Sequence, residues 1–213
     1  MVIKKKIKRG ARKKFFEVKI PLTATKIHLY GYSPEDLEGC VIKLDLTKSL
    51  RGKSLELRAK VKLKGEKLTG DLTSLQLMPS YIKRVMRRGT DYVEDSFEVT
   101  CKDAKLQIKP FMITRKKVSR AIRKTIRETA RKYLTTYIRI RNSEELFSEI
   151  MTNKLQRALS LKIKKIYPLA LCEIRFIKVK EKIEKPLKKA NKENNKEKEE
   201  KSSDKTSQKE DKK

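Results

Sequence analysis

The stretch from Arg115 to Arg141 combines the period of an amphipathic helix with a large excess of cations. It contains eleven Arg or Lys residues and a single acid, Glu128. Its apolar side chains recur close to every fourth position: Val118, Ile122, Ile126, Ala130, Leu134 and Tyr137. This spacing predicts one long helix whose apolar stripe packs on a protein core. The other faces are cationic, and their charges repel one another unless a polyanion lies against them.

The positive charge is concentrated in the part of the chain with folded character. Of 57 Lys and Arg and 27 Asp and Glu, only 12 bases and 9 acids lie from Glu181 onward. Residues 1–180 therefore hold the remaining 45 bases and 18 acids, a net charge of +27. A nucleic acid is the partner that most readily neutralises so many fixed cations. A lysine-rich soluble protein from a hot or salt-stressed cell is the alternative, although such surfaces normally mix both signs.

Other features of the composition argue against several classes of protein. No run of 18 apolar residues predicts a membrane span, and the basic start has no hydrophobic stretch of a secretory signal. Cys40, Cys101 and Cys172 are odd in number and far apart, which favours reduced, buried thiols in a cytosolic protein. With one histidine and no nucleotide or metalloprotease motif, we expect no enzyme activity, no cofactor and no metal site.

Alternating and short apolar stretches predict a mixed α+β fold. Seven strands are expected: Phe15–Ile20, Cys40–Leu46, Leu55–Leu63, Leu68–Leu77, Ser96–Cys101, Leu106–Ile113 and Leu169–Val179. Three helices are expected: Ser80–Arg88, Arg115–Arg141 and Asn142–Leu159. Short turns between successive strands indicate an antiparallel, barrel-like sheet with the long basic helix and a second helix packed beside it.

The chain divides into three parts by composition. Residues 1–14 are predicted to be a basic N-terminal arm, for which a targeting segment is the rival interpretation. Residues 15–180 are predicted to form a single α+β RNA-binding domain. Residues 181–213, rich in Lys and Glu and poor in apolar residues, are predicted to be a disordered tail.

Arginine outnumbers lysine in the long helix, whereas every base of the tail is lysine. Because guanidinium groups grip phosphates with two bonds, we expect specific phosphate contacts on the helix. The expected RNA-binding residues lie on the arm, the short helix and the long helix: Lys4, Lys5, Lys6, Lys8, Arg9, Arg12, Lys13, Lys14, Lys83, Arg84, Arg87, Arg88, Arg115, Lys116, Lys117, Arg120, Arg123, Lys124, Arg127 and Arg131. Aromatic residues are few and no RNP-like pattern occurs, so stacking of unpaired bases is not the expected mode.

Four stretches together resemble one known family. They are Phe15–Pro21, Gly39–Leu46, Thr114–Lys117 with Arg120–Lys124, and Lys165–Leu169 followed by Glu173–Arg175. The chain is similar through them to the S-three-Ae (e-S-one) family of archaeal and eukaryotic small-subunit ribosomal proteins. Tyr81–Gly89 resembles the archaeal members, whereas Thr23–Leu37 follows the family pattern poorly.

The resemblance implies an antiparallel β-barrel core on the platform of the small subunit. It also implies contact with the 3′ region of small-subunit rRNA, with neighbouring platform proteins and with mRNA near its exit, in the cytoplasm and away from membranes. Two other functions stay open from the residues alone. One is a free basic RNA- or DNA-binding chaperone. The other is an enzyme acting on RNA, with Glu35, Asp36 or Glu94 holding a metal.

Overall fold

The computed structural model describes residues 12–23, 25–50, 52–65 and 67–182. Most of the predicted arm and almost all of the predicted tail lie outside these residues. Nine strands are described: β1 Lys14–Lys19, β2 Lys26–Gly31, β3 Val41–Asp45, β4 Leu55–Lys64, β5 Lys67–Leu77, β6 Tyr92–Glu94, β7 Phe97–Thr100, β8 Ala104–Thr114 and β9 Leu169–Lys182. Four α-helices are described, with one 3₁₀ turn at Glu35–Leu37: α1 Pro79–Val85, α2 Arg120–Arg139, α3 Ser143–Met151 and α4 Lys154–Lys164.

The longest hairpin of the sheet is β4–β5, and its alternating pattern is the one predicted. The two strands run antiparallel from the pair Leu55 and Leu77 to the pair Lys64 and Lys67. Gly65 makes the turn at a φ of 62°, a conformation that glycine adopts without strain. Every second residue of β4 points into the core, so its basic residues lie on the other face.

The first and last strands meet along one edge of β5. Strand β1 pairs in parallel with the start of β5. Strand β9 pairs in antiparallel orientation with the end of β5. Strand β9 then continues alongside β8 over most of its length. Strands β2, β3, β6 and β7 each pair with one neighbour, so the sheet branches and stays open within the described residues. The α+β class is confirmed, while the barrel-like sheet does not close and includes one parallel pair that the sequence did not indicate.

Helix α2 covers the sheet through the predicted apolar stripe. Ile126, Ala130, Leu134 and Ile138 are fully buried, with exposed fractions of at most 1%. The stripe ends on the buried Ile138, while the predicted Tyr137 is half-buried and packs against the same core. The predicted start at Arg115 was wrong: the helix begins at Arg120, where the Ser119 hydroxyl accepts a bond from the Ile122 amide.

Two further predicted helices have different ends in the structure. The stretch 142–159 is interrupted at Asn153, whose φ of 60° lies in the left-handed region and separates α3 from α4. Asparagine tolerates that conformation better than most residues, so the break follows from local chemistry that periodicity does not detect. Helix α1 stops at Val85, because the backbone at Met86 is extended, and Arg87 and Arg88 fall in the turn that follows.

A buried ion pair joins the helices to the sheet. The ammonium of Lys53, in the loop after β3, lies 2.5 Å from the carboxylate of Glu173 on β9. It also donates to the side-chain oxygen of Asn153 at 2.7 Å, and both charged residues are only 8% exposed. Gln156 donates to the Ile150 carbonyl at 2.9 Å beside them. Asn153, at the α3–α4 break, is therefore bonded to Lys53 in the loop after β3, and Lys53 in turn pairs with Glu173 on β9.

Within the described ranges, no helix has the length and apolar character needed to cross a bilayer.

Candidate nucleic-acid interface

One face of α2 gathers four of the predicted RNA-binding residues. Arg120, Arg123, Lys124 and Arg127 follow one another at spacings of three, one and three, which places them side by side on a helix. With Tyr92 of β6 they line a shallow depression of about 250 Å³. Arg123 is half-buried and the other three bases are exposed. The arrangement presents three guanidinium forks and one ammonium around a single concave surface.

These four bases lack acidic partners among the described residues. Several acids of the domain form ion pairs across the sheet instead: Asp71 with Lys62 and Lys182, Glu94 with Arg175, Glu98 with Lys180, and Glu17 with Lys26. Glu128, the only acid in the sequence of α2, forms no ion pair with a described residue. Other bases, such as Lys83, Arg87 and Arg88, also form no ion pair with described residues, but α2 gathers four such bases around one depression, which favours a polyanionic ligand there.

The pairing at Asp71 shows how strongly the sheet acids are engaged. Burial alone would raise the pKa of this carboxyl group, but hydrogen bonds from Lys182 and Lys62 outweigh it and hold the pKa below its usual value. The two N···O distances are 2.7 and 2.8 Å. Lysines held in this way are poor candidates for binding phosphate, in contrast to the bases of α2.

The segment 115–117 precedes α2 and is anchored at both ends. The buried Thr114 hydroxyl has one proton to donate, and its oxygen lies 2.9 Å from the Asp91 carbonyl oxygen and 2.8 Å from that of Lys116. The Asp91 carboxylate accepts from the Val118 amide at 2.9 Å. Three predicted RNA-binding residues, Arg115, Lys116 and Lys117, are exposed between these anchors. Because the backbone is restrained, less conformational entropy is lost when their side chains bind a ligand.

The predicted bases of α1 and its following turn are all exposed. Arg84 donates to the Gly52 carbonyl at 2.8 Å and lies 5.4 Å from the centre of the Tyr81 ring. Lys83, Arg87 and Arg88 form no ion pair with described residues. Since α1 stops before Arg87, the four bases do not lie together on one helix, as the predicted helix Ser80–Arg88 would require.

Arg131 differs from the other predicted residues of α2. Its guanidinium bonds twice to Asp95, and it lies 5.4 Å from the centre of the Phe97 ring. Two of its donors are therefore occupied within the protein. A role for Arg131 in binding phosphate remains a prediction, and its structural role in joining α2 to the β6–β7 loop is visible.

The predicted arm is described only at its end. Arg12, Lys13 and Lys14 are exposed, whereas five predicted residues lie outside the described residues: Lys4, Lys5, Lys6, Lys8 and Arg9. Lys13 lies beside a feature that the sequence did not suggest. This feature is an exposed pair of aromatic rings, those of Phe15 and Tyr30. The missed signal was the alternation of β1, which turns Phe15 away from the face that buries Val18.

The acids of the rival metal hypothesis do not form a cluster. Glu35 and Asp36 lie in the 3₁₀ turn, while the Glu94 carboxylate accepts from Arg175 at 2.7 Å. Over residues 12–23, 25–50, 52–65 and 67–182, no group of three His, Cys, Asp or Glu residues is placed to hold a metal ion.

Comparison with known proteins gives one consistent result. The sequence model of the Ribosomal S3Ae family matches residues 2–183. A relative from Nanoarchaeum equitans, called small ribosomal subunit protein eS1, is 26% identical over 192 residues, covering 85% of this chain and 97% of the relative. Relatives of the same name are 30% identical over 119 residues in Methanothermobacter thermautotrophicus, with 55% and 61% covered, and 26% identical over 171 residues in Desulfurococcus amylolyticus, with 76% and 80% covered.

Proposed function

The chain belongs to the Ribosomal S3Ae family, and from this premise we propose that it is a structural constituent of the small ribosomal subunit that binds and stabilises ribosomal RNA. The observation that carries the proposal is the cationic face of α2, whose four bases surround one depression without acidic partners among the described residues. Its place of action is the ribosome of the cytoplasm.

The cationic face suits a folded RNA better than a small anion. The cations lie on two adjoining parts of the chain. Four of them line the depression on α2, and three lie in the anchored segment 115–117 that precedes this helix. A chain of phosphates can contact both elements at once, and each neutralised phosphate releases condensed counterions. Binding of this kind recognises the shape and charge of RNA more than its sequence. It requires no chemical step, in keeping with a protein that stabilises RNA and does not alter it.

The proposal includes the finer location implied by the resemblance. We place the protein on the platform of the subunit, in contact with the 3′ region of the rRNA and neighbouring platform proteins, close to mRNA at its exit. It also keeps the division of the chain into a basic arm at 1–14, an RNA-binding domain at 15–180 and a charged tail at 181–213.

Charge reversal on α2 tests the proposal directly. Arg123→Glu combined with Arg127→Glu is expected to lower incorporation of the protein into small subunits, measured on a sucrose gradient, while circular dichroism shows an intact fold. A matched control, Lys154→Glu with Arg157→Glu on the exposed side of α4, makes the same change in net charge. The control is expected to be incorporated more efficiently than the α2 variant.

The outcome separates the proposal from its main rival. Equal incorporation of the α2 variant and the unchanged protein would count against the proposed interface. A free RNA- or DNA-binding chaperone would bind duplex DNA and folded rRNA with similar affinity and would sediment apart from the subunits. Platform placement is tested by a cryo-EM map of subunits carrying the protein.

A further inference from the structure

An aromatic pair is exposed on the outer face of the β1–β2 hairpin. Phe15 and Tyr30 stand opposite each other in the strand register, and their exposed fractions are 72% and 56%. Their ring centres are 4.9 Å apart and the rings are tilted by 41°. Large aromatic side chains left in water in adjacent positions are typical of an interaction surface.

The pair is not required by the core beneath it. The opposite face of the hairpin carries Phe16, Val18 and Leu29, which pack in a small hydrophobic cluster with residues of β3–β5. Phe15 and Tyr30 point away from this cluster because successive side chains of a strand alternate. Their exposure is therefore a property of the surface and does not result from a poorly filled core.

A cation lies beside one of the two rings. The Lys13 ammonium lies 5.4 Å from the ring centre of Tyr30 and 5.3 Å from that of Tyr32. Farther along the same outward face, Lys19 and Lys26 stand opposite each other. The single acid of this face, Glu17, forms an ion pair with Lys26 at 3.2 Å. The aromatic pair with the ammonium of Lys13 beside it matches a ligand with flat rings joined by phosphates.

We propose that Phe15 and Tyr30 form a stacking platform for an unpaired base of single-stranded RNA, with Lys13 contacting the phosphate beside that base. The inference rests on the proposed binding of RNA, and it adds a second mode of contact to the phosphate contacts of α2. Aromatic faces stack on any base, so the platform holds an unpaired segment with little dependence on sequence. The ammonium of Lys13 favours RNA over an apolar protein surface, which would leave that charge without an anionic partner.

A tryptophan replacement gives a direct probe of stacking. The natural sequence has no tryptophan, so Phe15→Trp places the only indole of the chain on the platform. The full-length variant is titrated with a short single-stranded oligouridylate and with an abasic oligonucleotide of the same length. Stacking predicts quenching of the indole emission by the oligouridylate, whereas the abasic oligonucleotide, which keeps its phosphates, leaves the emission nearly unchanged.

A second variant measures the contribution of the partner ring. Tyr30→Ala is expected to weaken binding of the oligouridylate roughly tenfold, since loss of one stacked base has an effect of that order. Leu161→Ala is the matched control, because Leu161 is 68% exposed on α4, and its affinity should be unchanged. Circular dichroism of both variants checks that the fold is retained.

Several results would overturn the platform. Equal binding of the oligouridylate by Tyr30→Ala and the unchanged protein would do so, as would equal quenching by the abasic oligonucleotide. A response of the indole to whole small subunits but not to any oligonucleotide would assign the patch to a neighbouring protein instead. Failure here is distinguishable from failure of the proposed function, because binding of folded rRNA is tested separately through Arg123 and Arg127.

Discussion

Arg131 and Asp95 are joined by two hydrogen bonds, from Nε to Oδ2 and from Nη2 to Oδ1, each 2.9 Å long. The Asp95 side chain is only 10% exposed, so its carboxylate depends on this partner. One turn earlier on the same helix, the exposed Arg127 has no such partner among the described residues. Two arginines of α2 therefore differ in what they contact, although the sequence pattern treats them alike.

This difference predicts that the same substitution lowers mainly the stability at Arg131 and mainly the RNA affinity at Arg127. Arg131→Gln is expected to lower the free energy of unfolding by about 1–2 kcal/mol, because the carboxylate of Asp95 loses a charged donor. Arg127→Gln should change stability by less than about 0.5 kcal/mol but weaken binding of rRNA fragments. Urea unfolding and fluorescence anisotropy measure the two quantities. The assignment is contradicted if Arg127→Gln is the more destabilising of the two.

Binding of rRNA should depend steeply on salt. If six or more phosphates are contacted, affinity is expected to fall by roughly a thousandfold or more between about 50 and 200 mM salt. Arg127→Gln should reduce the slope of log affinity against log salt by about one, since one phosphate contact is lost. Arg131→Gln should reduce that slope less than Arg127→Gln does, because two donors of Arg131 already bond to Asp95. Identical slopes for Arg127→Gln and the unchanged protein would show that Arg127 does not contact phosphate.

The anchor at Asp91 is expected to matter for RNA binding through geometry. Asp91→Asn and Asp91→Ala remove the same charge, but only the asparagine keeps an oxygen that can accept from the Val118 amide. We expect Asp91→Ala to be about 1 kcal/mol less stable than Asp91→Asn and to bind rRNA more weakly. The comparison uses urea unfolding and anisotropy. Indistinguishable variants would mean that the hydrogen bond does not order segment 115–117.

The buried pair of Lys53 and Glu173 predicts a strongly coupled mutant cycle. Lys53→Met alone leaves a carboxylate buried without its charged partner, which typically costs about 3–5 kcal/mol. Lys53→Met combined with Glu173→Leu should be less destabilised than Lys53→Met alone, because no uncompensated charge remains. Thermal or urea unfolding of Lys53→Met, Glu173→Leu and the double variant tests this. Additive losses in the double variant would argue against direct coupling.

Tyr137 should make stability fall at high pH. Burial raises the pKa of its phenol, and the hydrogen bond to the Glu149 carboxylate raises it further, to about 12, from an ordinary value of 10.0. Between about pH 10 and 12 the unfolded chain loses this proton while the folded protein keeps it, so the stabilisation present below pH 10 is lost as pH rises. The stability difference between the unchanged protein and Tyr137→Phe should therefore shrink across this interval in urea titrations. A difference independent of pH would contradict the shifted phenol.

Regular patterns in the sequence were enough to predict most of the elements. The alternation in Leu55–Leu63 identified β4, and the four-residue period of Ile126, Ala130 and Leu134 identified the buried face of α2. Elements without a sustained period were missed, among them β2 and the three-residue β6. The ends of α2 and the break at Asn153 depend on single backbone conformations and side-chain caps, which a periodic pattern does not contain.

The candidate interface was predictable only in part. The sequence indicated which residues are basic, and the excess of bases over acids showed that some must lack partners. It did not show that Asp95 pairs with Arg131, since the two are 36 positions apart and meet only after β6, β7 and α2 have packed. The exposed pair of Phe15 and Tyr30 likewise depends on the strand register, which brings together two aromatic residues from a chain with few of them.

The position of β9 between β5 and β8 has a consequence for biosynthesis. Of the strands in the described residues, Leu169–Lys182 is the last to leave the peptide exit tunnel, yet it supplies hydrogen bonds to strands on both sides. Until it emerges, the nascent polypeptide has two incomplete sheet edges that can associate with other chains. Completion of the sheet thus waits for this strand, and a chaperone that shields those edges would have its greatest effect before the strand emerges.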